Sequence, residues 1–212
     1  MNSSYKPIKK NHADWVKQYF NCDLPEQHWD DEISPTQFAP FIYIDEKKLI
    51  KCTLAQFGLI PFVTREERSG RRTYNARSET VAEEASYKKV WKERKFGLAL
   101  MESFFGPVWE NGLPKRWSVK RVDLQPIAVP SIWERLVNEK TGEVSFSFSL
   151  LTINADQDPM MKLFHKDATE TRSIVVLDAS EYIFWLNANH IEARALLKLA
   201  PNNILIAEPS TR

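Results

Sequence analysis

Between Val144 and Leu150 the chain alternates strictly, with Val144, Phe146, Phe148 and Leu150 apolar and Ser145, Ser147 and Ser149 between them. A period of two sends successive side chains to opposite faces of a pleated strand, so this stretch predicts a strand. Lys140-Thr141-Gly142-Glu143, just upstream, reads as a hairpin turn, which makes residues 127–136 the partner strand. Residues 41–44, 49–60, 96–105, 116–122 and 173–177 also read as strands, punctuated by Pro40, Pro61, Asn111-Gly112 and Pro126. Helical spacing is confined to a few segments. Asn11 stands where it could cap a helix carrying Trp15, Tyr19, Phe20 and Cys22, and Ser78 or Thr80 could cap one running to Lys95. Residues 158–165 and 191–199 predict two shorter helices. Several strands with few parallel crossover cues argue for an α+β fold, a largely antiparallel, barrel-like sheet with flanking helices.

A chain of 212 residues can bury a substantial core, and with no internal repeat and no long linker it reads as one domain spanning 1–212. The net charge of +1 recruits neither nucleic acid nor membrane by itself, so such binding must come from local segregation. Asp23, Glu26, Asp30, Asp31 and Glu32 form an acidic stretch, while Arg65, Arg68, Arg71, Arg72 and Arg77 crowd a short segment. Cys22 and Cys52 form neither a metal-spaced pair nor a disulfide framework, and Cys52 reads as a small core hydrophobe. No apolar run approaches the ~18 residues of a membrane span, and the first residues lack an apolar leader. A cytoplasmic protein, monomeric and without membrane contact, is expected. The six glycines form no phosphate cradle, no GxSxG elbow is present, and His12, His28, His165 and His190 lack metal-ligand spacing. No cofactor and no metal are expected.

Three separated segments carry a more specific signal. The first is Phe57-Gly58-Leu59-Ile60-Pro61 followed by Tyr74-Asn75-Ala76-Arg77-Ser78-Glu79-Thr80. The second is Phe104-Phe105-Gly106-Pro107 with Trp109-Glu110-Asn111-Gly112. The third is Leu151-Thr152-Ile153-Asn154-Ala155-Asp156, with His165-Lys166 and Arg172-Ser173-Ile174-Val175. With Ile33-Ser34-Pro35-Thr36-Gln37 before them, their order and spacing over roughly residues 1–190 resemble the SOS response-associated peptidase (SRAP) family of abasic-site DNA-processing proteins; a C-terminal helix and strand would complete the domain.

The resemblance implies a nucleoid-associated domain that binds single-stranded or abasic-site DNA. In that family a cysteine at position 2, freed by removal of Met1, captures the sugar aldehyde as a thiazolidine, and a glutamate and a histidine move the protons. The same cysteine is held responsible for self-removal of Met1. Here the cysteine position carries Asn2 and the glutamate position carries Gly106, while His165 is retained. Asn75, Arg77, Pro40, Arg72 and Thr152 match the DNA-binding positions. Arg77 can donate a bidentate pair to a phosphate, and Asn75 has both donor and acceptor. Phe57 stands where the family has a base-stacking Trp. Glu102 could share a strand face with position 106, but four residues of strand span about 13 Å, too far for a proton handoff. The expectation is a DNA-binding pseudoenzyme that does not crosslink. Two alternatives stand beside it: weak amine-based lyase chemistry assisted by His165, and a protein-interaction module using an aromatic patch around Trp109 and Trp117.

Overall fold

The computed structural model describes residues 4–62, 70–165, 170–201 and 203–210. Its strands are β1 (Tyr5–Pro7), β2 (Phe38–Ile44), β3 (Ile50–Phe57), β4 (Asn75–Arg77), β5 (Phe96–Glu110), β6 (Leu113–Arg121), β7 (Ile127–Val137), β8 (Val144–Asn154), β9 (Arg172–Ile174) and β10 (Leu205–Pro209). The α-helices are α1 (Ala13–Phe20), α2 (Lys88–Lys92), α3 (Pro159–Lys162), α4 (Tyr182–Asn187) and α5 (His190–Leu196). Following the pairing from β2 to β3, β8, β7, β5 and back to β2 closes a five-stranded barrel in which only β3 and β8 run parallel. Closure leaves the five strands without a long free edge. The barrel interior is filled by Phe41, Ala55, Phe57, Ala99, Val129, Phe148 and Leu150, with Phe41 and Phe148 stacked at 4.7 Å. Gly97 makes room for this packing, since a Cβ there would lie 2.4 Å from the Phe41 ring.

The outer face of the same strands carries Ile42, Leu98, Leu100, Ala128, Leu151 and Ile153, and the helices cover it through Val16, Phe20, Trp91, Trp185 and Leu196. The strand expected from the alternation forms as part of β8. Ser147 and Ser149 are fully buried because both faces of β8 are covered, and the Ser147 hydroxyl accepts the Ile60 N–H at 2.9 Å. Asn11 does not cap α1. It lies in a 3-10 turn, Lys10–His12, and the helix stops at Asn21, which adopts the left-handed conformation, leaving Cys22 outside. The helix expected from Ser78 shrinks to α2. Ser78 instead gives its N–H to the Thr152 carbonyl at 2.9 Å and stays registered on the sheet. The Asn111-Gly112 pair, both with positive φ, makes a two-residue hairpin turn between β5 and β6.

Two irregularities in β5 and its partner position the site. Lys6 pairs with Ser103 and Pro7 with Met101, so Glu102 is bulged out of the ladder. A bulge shifts side-chain parity along its strand. Met101 faces the interior before it, Phe104 and Val108 after it, and Gly106 lies between those two on the inner face. The second irregularity is Pro40. It has no N–H to offer β5, and the β2–β5 pairing stops at Phe41. Beyond that point β1 takes over: Ile8 N–H donates to the Leu100 carbonyl, and Phe105 N–H donates to the Ser4 carbonyl at 3.3 Å. The first described residue thus lies against β5 one position from Gly106.

Candidate nucleic-acid interface

At position 106 the inner face is already occupied. A Cβ on Gly106 would lie 2.5 Å from Cδ1 and 3.1 Å from Cγ of Phe164, which is 5% exposed and packs in the barrel-side core. Gly106 does not have a positive φ, so sterics rather than backbone conformation exclude a side chain there. Glu102 cannot replace the missing carboxylate, for a reason beyond distance. The bulge turns it away toward His12, whose Nε2 lies 3.3 Å from Oε1. Trp117 sits directly across from Gly106 on β6 and packs on the core. Its Nε1 is buried without a hydrogen-bond partner among the described residues, while the ring itself is only partly buried. Asn2 lies outside the described residues. On the outer face of the β5–β6 hairpin a recess of about 350 Å³ is lined by Ser4, Phe105, Pro107, Lys115 and Arg116. There the Arg116 guanidinium lies 3.6 Å from the Phe105 ring centroid and is held by Glu32 at 2.5 Å.

His165 follows α3, whose N-cap Asp158 accepts from Met160 and Met161 N–H. The imidazole is engaged at both nitrogens: Nδ1 lies 3.1 Å from the Met161 carbonyl, and Nε2 accepts the Arg172 N–H at 3.2 Å. These two contacts clasp the ring to the start of β9. Either proton role in catalysis would require one of these bonds to open first.

Asn75 and Arg77 lie on β4, held between β8 and the turns that follow; Arg77 pairs with Thr152 and Asn75 with Leu150. The Tyr87 hydroxyl donates to the Asn75 carbonyl at 3.1 Å. Thr152 is 1% exposed and gives its hydroxyl to the Ala76 carbonyl, so it stands behind this surface and supports it. Arg77 projects outward, its side chain 51% exposed, and meets Glu170 at 2.9 Å. Arg77 and Glu79 are not an ion pair with each other. Glu79 takes both terminal nitrogens of Arg172, at 2.9 and 2.8 Å. Arg172, 3% exposed at its side chain, also donates to the Thr152 carbonyl at 2.7 Å and to Glu170 at 2.8 Å. Burial by itself would raise the Glu79 carboxyl, but the Arg172 hydrogen bonds override it and hold it down at about 2.

The remaining expected positions divide. Arg71 and Arg72 are exposed and make no ion pair among the described residues, whereas Arg65 and Arg68 lie outside them. Pro40 is the third residue of β2, paired with Leu54 and buried, so it cannot press on a ligand. Phe57 is fully buried and stacks on Phe148 at 5.6 Å, which removes it from any role in base stacking. Phe164, Glu170 and the buried Arg172 were not singled out from the sequence as site residues. For Arg172 the signal was its place in the third matched segment. The thiols are poor nucleophiles. Burial, with Asp23 adding to it, pushes Cys22 up to about 11, and burial pushes Cys52 higher still. No group of three or more His, Cys, Asp or Glu side chains able to hold a metal occurs among the described residues.

The fold is shared with solved structures. A protein from Bordetella bronchiseptica superposes with a TM-score of 0.88 at 26% identity, covering 99% of this chain and 100% of its own. One from Bacteroides thetaiotaomicron gives 0.79 at 19% identity over 98% and 91% of the two chains. A phage-related protein from Bordetella bronchiseptica gives 0.67 at 13%, over 100% and 94%. No curated protein matches the chain. The family model described as SOS response associated peptidase (SRAP) matches residues 7–209, nearly the whole sequence, and the chain belongs to that family.

Proposed function

We propose that this protein binds single-stranded or abasic-site DNA through the Arg77 face and does so without forming a thiazolidine crosslink. Family membership associates it with the SOS response to DNA damage. The observation that carries the binding half is Arg77, a half-exposed guanidinium on a short strand that is followed by Glu79, itself fixed by the buried Arg172. A cation held in this way meets a phosphate with little loss of freedom. Asn75 lies on the same strand, and Arg71 and Arg72, a few residues upstream, are exposed.

The non-covalent half rests on chemistry that is missing. Asn2 has no thiol, Gly106 has no carboxylate, Phe164 fills the space beside it, and the two cysteines are held protonated by burial. The test is incubation with a labelled abasic single-stranded oligonucleotide, analysed in parallel by native gel and by SDS gel after heating. A native shift for the single strand with no SDS-stable band is expected. A stable band without reductant would overturn the non-covalent half, and absence of any shift would overturn the binding half.

A further inference from the structure

We propose that Glu170 is a carboxylate gate on the DNA-binding face: it occupies the phosphate seat of Arg77, and a nucleic-acid phosphate reaches that guanidinium only by displacing it. The inference rests on the reading of Arg77 as a phosphate contact. One oxygen of Glu170 lies 2.9 Å from Arg77 and the other accepts from Arg172 at 2.8 Å, so a single carboxylate bridges an exposed cation and a buried one. Carboxylate and phosphate oxygens compete for the same guanidinium fork. The two halves of the bridge are unequal. Arg172 keeps Glu79 and the Thr152 carbonyl whether or not Glu170 is present. Among the described residues Arg77 has no second carboxylate in its ion pair, so removal of Glu170 frees it from that partner and leaves the Arg172–Glu79 latch intact. With the carboxylate 35% exposed and its partner 51%, the pair is open to water, and exposed pairs of this kind hold by less than about a tenfold factor. A phosphate can therefore displace it, at a cost in affinity that selects for ligands able to offer several phosphates at once.

The experiment is a double-mutant cycle on binding of an unmodified single-stranded oligonucleotide at low salt, with Arg77→Ala, Glu170→Gln and the double variant. Glu170→Gln should tighten binding by about two- to tenfold, and the gain should vanish when Arg77 is absent. A gain that persists in the Arg77→Ala background would reduce Glu170 to a general repulsive charge and overturn the gate. Weaker binding by Arg77→Ala together with no change in Glu170→Gln would also overturn it, while leaving the DNA-binding reading in place. If neither the wild type nor Glu170→Gln binds, both fall. Should the glutamine variant melt early, Glu170→Asp, which withdraws the carboxylate by one methylene, is the substitute and should tighten binding in the same Arg77-dependent way.

Discussion

Arg172 is the residue on which the site is assembled. Its guanidinium is almost fully buried and ties β4 to β8 and β9 through Glu79 and Thr152. Hydrogen bonds to charged groups contribute about 1.5–3 kcal/mol each, so Arg172→Ala should destabilise by about 2–4 kcal/mol, read as a lower thermal midpoint. Glu79 gives the same latch a pH signature. Its carboxyl is held at about 2 when folded, against about 4.3 in an unfolded chain. A depressed folded pKa contributes stability above the unfolded value and loses it as pH falls toward the folded one. The gap in thermal midpoint between wild type and Glu79→Gln should therefore be full at pH 6 and close between about pH 5 and pH 2. A gap that is unchanged at pH 2.5 would disprove the latch. The thiols make a separate prediction at this scale. With Cys22 raised to about 11, the native protein should react slowly with a thiol-specific disulfide reagent at pH 7.5 and faster as pH approaches 11.

At the scale of elements, the bulge at Glu102 decides which side chains of β5 face the core, and it places Gly106 against Phe164. Gly106→Glu alone forces an overpacked contact and should cost about 1–3 kcal/mol. Adding Phe164→Ala should recover part of that loss in a thermal melt, because it removes the ring from the path of the new side chain. If both variants melt alike, the contact with Phe164 is not what excludes a carboxylate. For the same reason, a side chain at position 106 fits without that clash only if Phe164 is also made smaller. The element scale is also where the sequence was most and least informative. The β7–β8 hairpin was legible because alternation and a glycine turn sit next to each other. β1 and β4 are three residues each, and neighbouring strands impose their conformation, so no periodicity could announce them, whereas the strand expected over 173–177 forms as the shorter β9. The helix expected over 78–95 failed because a buried carbonyl of β8 and a buried arginine of β9 claimed Ser78 and Glu79. Pro40 and Phe57 stand at motif positions, yet a motif carries no burial, and both are buried in the structure.

As a whole molecule, the protein is a closed barrel with helices packed on its outer face and a latch of two arginines and two glutamates. No helix among the described residues is long and apolar enough to cross a membrane. With a net charge of +1 the molecule has no general attraction for polyanions, so nucleic-acid binding must depend on individual guanidinium groups. The most direct test is the salt dependence of single-stranded DNA affinity for wild type and Arg77→Ala. Each phosphate neutralised on a single strand contributes about −0.7 to the slope of log K against log salt. The wild type should show a steep negative slope and a preference for single strand over duplex. Arg77→Ala should bind about 5- to 100-fold more weakly, with a slope shallower by about one contact. Salt-independent binding, or an Arg77→Ala variant with unchanged affinity and slope, would contradict the claim that this face reads DNA.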